Sequence, residues 1–526
     1  MRFLPVNLTS LLIEFSNLEE TLALHQNLVV DPIDSILEMI PAACTLLIYF
    51  DRYRTDAYKL TASIRKREYS THFFSCVQTI QIPVTYDGED LQNVADCLGI
   101  SVAEVIYRHT HQSYRVAFTG FAPGFAYLSC LENQLSVPRH ASPRIRIPAG
   151  SVALAGEFSG IYPKDSPGGW QLIGRTDQQM WDLDREQPAL LRPGDQVVFV
   201  DATQSSVTSF SCSVKKKKIS LPHSDRKHGI KIKQVTFPIL FQDQGRAGLS
   251  DVGISESGAM DRQALRDANR IVGNCINETI LEITNGSLRV QVLGDLVICV
   301  TGAICSISVT TSAGDMIQCE NYRPVALCDG DELELSAPRA GVRSYLSVRG
   351  GWLCESVLQS TSYDTLAQIG PKPIRNGNSV FVAKTDTHRI VLPDYPLPNP
   401  LPSSGDIITL DVIMGPHTDW FSDSAVAILV SQHWHVTNES NRIGLRLEGS
   451  RTLTRKDPHE LPSEGTVAGS IQVPTNGQPV LFMRDHPLTG GYPVIAVIAD
   501  YHLDLCGQLP VGCSVIFHPI QIFQEF

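Results

Sequence analysis

The sequence predicts a β-rich α+β chain made of more than one closed β barrel with a small α/β domain at its N-terminus. Three observations predict it. First, 526 residues exceed what one hydrophobic core usually supports. Second, short apolar runs punctuated by turn residues, such as Leu288–Val292, Leu296–Thr301, Ser344–Val348 and Ile407–Met414, outnumber helical patterns and favour barrels over a doubly wound sheet. Third, the chain repeats itself. Val467-Ala468-Gly469-Ser470-Ile471 echoes Pro148-Ala149-Gly150-Ser151-Val152, Gly490-Gly491-Tyr492 echoes Gly168-Gly169-Trp170, and Leu509-Pro510-Val511-Gly512 with Val515-Ile516-Phe517 echoes Leu191-Arg192-Pro193-Gly194 with Val197-Val198-Phe199. Three matches in register imply two related β units.

Taken in order, residues 1–82 mix short helices and strands. Asp31 before Pro32 reads as a helix start, with Ile33, Ile36, Leu37 and Ile40 at helical spacing, and Leu46–Phe50 reads as a buried strand. Residues 83–203 form the first barrel unit. It opens with LQNVADCLGISVAEVIYRHT, a helix, a Gly99 turn and a second helix begun by Ser101 with Glu104 at capping-box spacing. That outline matches a DNA-reading helix pair, yet Val102–Thr110 offers only Arg108 and His109 to bases, so nucleic acid is not expected as a partner. The unit closes with LRPGDQVVFV, a turn and an edge or closing strand. Residues 204–230, rich in Ser and Thr and then Lys215–Lys218, are the linker. Residues 231–402 and 403–526 are two further barrel regions. In the first, Asp261 caps a helix whose Ala264, Leu265, Ala268, Ile271 and Val272 share a face, ending at Gly273.

Composition narrows the function classes. A formal charge of −12 disfavours nucleic acid and anionic membrane. No apolar run approaches the roughly 18–20 residues that cross a bilayer, so a cytoplasmic location is expected. Thirteen cysteines without C-x-x-C pairs argue against a disulfide framework or a zinc ribbon. His109/His111 and His433/His435 lack a carboxylate or cysteine at ligand spacing, and no metal site is expected.

The run from Pro138 to Thr176 has the texture of a binding surface. Arg144 and Arg146 alternate with Ile145 and Ile147, so a strand there sends both guanidinium groups out on one face with the isoleucines packed behind. Two planar forks side by side suit a carboxylate or phosphate. Gly168 and Gly169 allow close approach to the backbone. In the second half, Ser257-Gly258-Ala259-Met260 precedes the helix capped by Asp261, where free N–H groups can receive an anion or simply be capped.

With these residues in view, the family is recognisable. GFAPGFAYL, PRIRIPAGSVALAG, YPKDSPGGWQLIGRT and LRPGDQVVF together resemble the 5-oxoprolinase B-type chain, also known as the Kip-type kinase-inhibitor family and as one half of the urea carboxylase carboxyltransferase. QDQGRAG, SGAMDRQALRDAN, MGPH, SNRIGLRLEG, GSIQVP and GGYPVIAVI resemble the C-type chain, and the two families are also named allophanate hydrolase subunits 1 and 2. The resemblance implies a B–C fusion with tandem cyclophilin-like barrels. It implies a share in ATP-dependent hydrolysis of 5-oxo-L-proline to L-glutamate with a separate A-type subunit, ATP carrying Mg2+ and bound by either chain. Neither a biotin carboxylase nor a biotin-carrier domain is recognisable, so no biotin is expected on this chain.

The resemblance also implies substrate-binding residues. On the first barrel, Arg144 and Arg146 would hold the substrate carboxylate, Ser151, Tyr162 and Trp170 would shape the pocket with Gly168 and Gly169, and Arg175 would face developing negative charge. In the second half the matching positions are Asp243, Arg246, Ser257, Met260, Asp261 and Asn269. Toward the C-terminus they are His417, Arg442, Gln472 and Asp485, with Thr489, Gly491 and Tyr492. No general base is singled out, and a homo-oligomer stays open. Two other activities fit the same families: a biotin-dependent carboxyltransferase acting on a urea-like amide, and a non-catalytic kinase-binding regulator. One segment departs from the C-family pattern: Trp352–Tyr363 reads WLCESVLQSTSY where a glycine-serine-rich turn is expected, and IGPKPIRNG replaces a Gly-Gly-x-Gly-Arg loop, so an altered barrel is expected there.

Overall fold

In the computed structural model, which describes residues 1–68, 78–130, 134–140, 142, 144–203, 227–383, 389–456 and 461–526, two barrels share one strand order. The first runs Gln171–Arg175, Ser151–Ala155, Phe158–Ile161, Ala126–Ser129, Tyr114–Thr119, Gln196–Asp201, Thr79–Val84. The second runs Val494–Ile498, Ser470–Gln472, Val480–Phe482, Gly444–Glu448, Trp434–Val436, Ser514–Gln521, Ile407–Met414. In each, the last strand of the unit pairs parallel with the first and antiparallel with the second. The second barrel closes where Val412–Met414 meets Ala496–Ile498. The first closes through a single bridge, Thr85 to Arg175, with N–H···O distances of 2.8 and 2.9 Å. The repeated glycines explain the matching signatures, because Gly150 and Gly469 turn into equivalent strands at φ 81° and 94°, a region that disfavours side chains.

The helix pair Leu91–Leu98 and Val102–His111 connects the first two strands of barrel one, and Asp423–Ser431 makes the same connection in barrel two. Gly99 adopts φ 66°, and the Ser101 side chain accepts from Glu104 N as the capping pattern predicts. The second helix lays Val105 and His109 against the barrel, where His109 stacks on Phe199 at 4.2 Å.

Before the first barrel, strands Arg2–Pro5, Ser10–Glu14, Thr45–Phe50 and Ile36–Pro41 form a four-stranded antiparallel sheet, with helices Leu18–Val30 and Ala57–Arg65. Between the barrels, a six-stranded and a five-stranded sheet enclose a common core that includes Ile232, Val290, Leu333, Leu281, Ile298 and Leu346. The helix Arg262–Ile271 packs on strands Leu296–Ile304 and Ala340–Val348. None of the helices among the described residues is long and apolar enough to cross a membrane.

Four local expectations are corrected. Asp31 ends the helix Leu18–Val30, and the apolar residues after Pro32 belong to the strand Ile36–Pro41, because Ile40 and its neighbours pair with Leu47 and Ile48. Ile145 does not pack behind the arginines: it is 94% exposed while Ile147 is buried. The strand Gln196–Asp201 is not an edge, since Thr79–Val84 lies outside it, which also carries the barrel across the boundary drawn at residue 82. Most of the linker lies outside the described residues, and its last two positions are already in the strand Gly229–Val235.

Candidate functional site

The predicted site residues separate into three groups, with His417 and Asn269 apart from all of them. On the first barrel, each arginine already has a carboxylate. Arg144 binds Asp90 bidentately at 2.7 and 2.9 Å, Arg146 binds Asp165 at 2.6 Å, and Arg175 binds Asp87 at 3.0 Å. The side chains of Arg146 and Arg175 stand 74% and 68% exposed. The two-fork reading of Arg144 and Arg146 is therefore corrected: alternation does put them on one strand, but Asp90 and Asp165 occupy their forks. Behind them Tyr162 and Trp170 are buried in an aromatic cluster with Phe125 and Tyr127, and Ser151 is buried too. Gly168 is required there, since a Cβ would stand 2.3 Å from the Tyr162 hydroxyl. Gly169 accepts from His140 N at 2.8 Å.

A second group marks where the barrels meet. The Phe121 N–H donates to Thr489 Oγ1 at 3.0 Å, and Gln472 donates to the Tyr492 carbonyl at 2.9 Å beside Gly490. A Cβ on Gly491 would lie 3.4 Å from Arg139, and Tyr492 is 37% exposed. His417 is elsewhere, fully buried against Glu464 with 2.5 Å between Nε2 and Oε2. Asn269 is also remote, bonded to Glu278 O, Ser347 and Asn274 on the inner side of its helix.

The third group converges. Arg442 spans Asp485 at 2.9 and 3.0 Å, Glu282 at 2.5 Å and the Gly258 carbonyl at 2.6 Å. Ser257 donates to Asp485 at 2.6 Å. Glu282 also receives Met260 N and the Tyr345 hydroxyl, and that hydroxyl accepts from Asp261 N. Burial would raise Asp485, but Arg442, Ser257 and Thr365 hold it below the usual carboxylate range. Asp261 is pushed up to about 7 by burial and by Asp504. It caps the helix through Ala264 N, while Asp504 takes Arg262 N and Gln263 N at 3.1 Å each, so two carboxylates already occupy the helix start read as an anion site.

Two loops hold Arg246 in this group. Arg246 N bonds Glu256 O and Ala259 N bonds Asp243 O, bringing the backbones so close that a Cβ on Gly245 or Gly258 would fall 2.5–2.8 Å from the opposite loop. Asp243 gathers Ser360, Thr361 and Ser362, and Arg246 donates from Nη2 to Ser362 O. The segment expected to be altered is thus well built: Ser360, Ser362 and Asp364 are buried, and the two serines deliver hydroxyls to Asp243. Sequence reasoning missed Glu282, Ser360, Ser362, Asp364 and Thr365; the hydroxyl run STS and the lone Asp364 were the available signals.

Arg246 is 3% exposed, yet among the described residues its Nε and Nη1 meet no acceptor, and neither do the buried N–H groups Arg262 Nε and Gln244 Nε2. An unmet buried donor costs about 1–3 kcal/mol, more when charged. Arg246 and Arg262 line a cavity of about 470 Å3 between the N-terminal sheet (Thr9, Glu38), the 246–257 loop and the second barrel (Arg484, His486). Unmet guanidinium donors in residues of its lining suit a small anion with several acceptor oxygens.

Comparisons with known proteins agree with this architecture. The carboxyltransferase domain, subdomain A and B, matches residues 252–519, and subdomain C and D of the same domain matches residues 1–191. The chain is 34% identical over 279 residues to the C-type chain of the Escherichia coli (strain K12) 5-oxoprolinase, spanning 52% of this chain and 86% of that one. It is 36% identical over 194 residues to the B-type chain of the Bacillus subtilis (strain 168) 5-oxoprolinase, spanning 34% of this chain and 81% of the relative. The crystal structure of TTHA0988 is similar over 97% of this chain and 99% of its own, at 30% identity and a TM-score of 0.79.

Proposed function

The chain belongs to the carboxyltransferase-domain family and carries both of its subdomain pairs in one polypeptide, and from that premise we propose that it is the fused B and C component of an ATP-dependent 5-oxoprolinase. Its substrate is 5-oxo-L-proline, a small anionic amide, and its partner is a separate A-type subunit. The observation that carries the reading is Arg246, a buried residue that lines a cavity between three parts of the chain and whose guanidinium has two N–H groups that meet no acceptor among the described residues. An anionic oxygen placed at either one receives a charge-assisted bond and relieves an unmet donor. A lactam is a poor electrophile, so ATP with Mg2+ enters as co-substrate, and phosphorylation of the amide oxygen supplies the leaving group. The unmet donors of Arg246 and Arg262, both residues of the cavity lining, fit the carboxylate and equally an oxyanion of a transferred phosphoryl group.

The test is reconstitution. The chain purified with its A-type partner should hydrolyse ATP only when 5-oxoproline is present and release glutamate, and neither chain alone should do so. Carboxyl transfer that requires a biotin-bearing chain would support the carboxyltransferase activity instead. Kinase binding without turnover would support a regulator.

A further inference from the structure

We propose that His486 reads the lactam N–H of the substrate, accepting it at Nε2 and so selecting a cyclic amide over a cyclic ester of the same shape. The assignment rests on the 5-oxoprolinase reading above and concerns the same cavity. His486 belongs to the cavity lining together with Arg246 and Arg262, and only 6% of it is exposed. Its Nδ1 lies 2.9 Å from the carbonyl oxygen of Pro487, which can only accept, so the ring carries its proton at Nδ1. The Thr466 hydroxyl, 3.4 Å from Nδ1, gives its own proton to that same carbonyl at 2.6 Å. Nε2 therefore keeps its lone pair, and it has no partner among the described residues.

The position of His486 matches the shape of the substrate. In 5-oxoproline the carbon that bears the carboxylate is bonded to the ring nitrogen, so the groups that hold the anion and the N–H must stand on adjoining pieces of the wall. Ser257 supplies that adjacency: it donates to Asp485 at 2.6 Å and ties the 246–257 loop to the residue before His486. On the loop, the Glu256 carbonyl takes Arg246 N at 2.8 Å and the Ser257 carbonyl takes Arg262 Nη2 at 3.0 Å. On the barrel, Arg442 clamps Asp485 from Nε and Nη2, and the Phe482 ring stacks on His486. Both segments are thus held in place around one space. Its volume of about 470 Å3 falls within the range of about 300–1,000 Å3 typical of small-molecule sites.

Charge favours His486 over the carboxylates of the same lining. Glu256 is paired with Arg262 at 2.9 Å and Asp504 with Arg484 at 3.1 Å, while Glu38 takes Ser250 N at 3.2 Å and Asp500 takes the Thr9 hydroxyl at 3.1 Å. A carboxylate set against the ring nitrogen would repel the substrate's own carboxylate on the neighbouring carbon. A neutral imidazole accepts the same N–H without that repulsion. Burial pushes His486 down to about 4, with Arg484 acting in the same direction against the Pro487 carbonyl, Asp485 and Glu256, so the ring is neutral at neutral pH. A cyclic ester presents a ring oxygen where the lactam presents N–H. Two lone pairs then face each other, and Nε2 is left without a donor.

The experiment uses the full chain with its A-type partner, without ATP. Calorimetry compares binding of 5-oxo-L-proline with that of 5-oxotetrahydrofuran-2-carboxylate, the ester in which oxygen replaces the N–H. The wild type is expected to bind the lactam about tenfold or more tightly than the ester. His486→Phe keeps a flat ring against Phe482 but has no acceptor. It is expected to lose about tenfold in lactam affinity and to hold the ester within about threefold of wild type, so that the preference disappears. His486→Gln, whose amide oxygen can accept, should keep part of the preference. An unchanged preference in His486→Phe would overturn the assignment and leave the 5-oxoprolinase reading standing. So would an equal loss of both ligands, which marks a structural role. Should His486→Phe not fold, His486→Met is read in the same way, and a wild type that favours neither ligand overturns the assignment without any variant. Absence of 5-oxoproline binding by the wild-type pair would overturn both.

Discussion

Arg442 donates to both oxygens of Asp485, from Nε at 2.9 Å and Nη2 at 3.0 Å, with both side chains closed off from solvent. The same guanidinium holds Glu282, which also has Arg343 Nε at 3.8 Å, so two buried cations face two buried carboxylates. Removing Arg442 strands Asp485 and leaves Glu282 only the more distant Arg343, and breaking a buried pair costs about 3–5 kcal/mol. Arg442→Met is therefore expected to lose about that much stability, and Asp485→Asn less, because Glu282 still faces Arg442 even though the amide nitrogen meets donors where Asp485 accepts. Urea unfolding midpoints of the two variants check the order.

The buried pair of His417 and Glu464 predicts an alkaline weakness. Burial alone would lower His417, but Glu464 holds it above its ordinary value of 6.5. A raised folded pKa contributes stability that is complete below the unfolded value and is lost as pH rises through the folded one. Urea midpoints measured from about pH 6 to about pH 9 should fall on the alkaline side. Glu464→Gln should flatten that fall.

His109 predicts the opposite limb. Burial pushes it down to about 3, and its ring is bonded to the Tyr86 hydroxyl at 2.7 Å and Ser159 at 3.0 Å. Below its ordinary value of 6.5 the unfolded chain takes up a proton that the native chain refuses, so stability falls as pH drops from there toward about 3. The acid limb of the unfolding midpoint should shrink in His109→Gln, which cannot titrate.

The barrel junction should be sensitive at Gly120. A Cβ there would lie 2.5 Å from Thr489 Oγ1 and 2.6 Å from its Cγ2. Gly120→Ala is expected to cost about 1–3 kcal/mol by overpacking. Thr489→Ala removes the obstructing atoms, so the double variant should be more stable than the sum of the two single losses, measured as a coupling energy in a double-mutant cycle.

Much of the fold was legible because it repeats. Gly150 and Gly469, or Gly194 and Gly512, mark equivalent turns, and a residue that alone permits positive φ leaves a trace in sequence. The site was only half legible. Arg442, Asp485, Ser257, Asp243 and Arg246 were named, but Glu282, which binds Arg442, and Thr365, which binds Asp485, are ordinary residues in a strand and a turn, and nothing local says they face the cluster. The arginines at 144 and 146 misled for the complementary reason: strand alternation gives their direction, while Asp90 and Asp165, 54 and 19 residues away, decide whether their forks are free.

Arg246 separates binding from stability more sharply than any other residue in the cluster. Its Nε and Nη1 are buried without acceptors among the described residues, so in the free protein this side chain carries an unmet desolvation cost beside the bond from Nη2 to Ser362 O. Arg246→Met replaces a poorly satisfied cation with an apolar side chain of similar reach, and the protein should be no less stable to urea. The same change removes the two donors that receive the substrate carboxylate, and 5-oxoproline affinity measured by calorimetry should fall by about 10–100-fold, the equivalent of losing charge-assisted hydrogen bonds of about 1.5–3 kcal/mol. Arg246→Lys, which keeps the charge but not the planar fork, should bind with an intermediate affinity. A loss of stability in Arg246→Met with affinity unchanged would mean that the open nitrogens are packing defects and that the anion binds elsewhere.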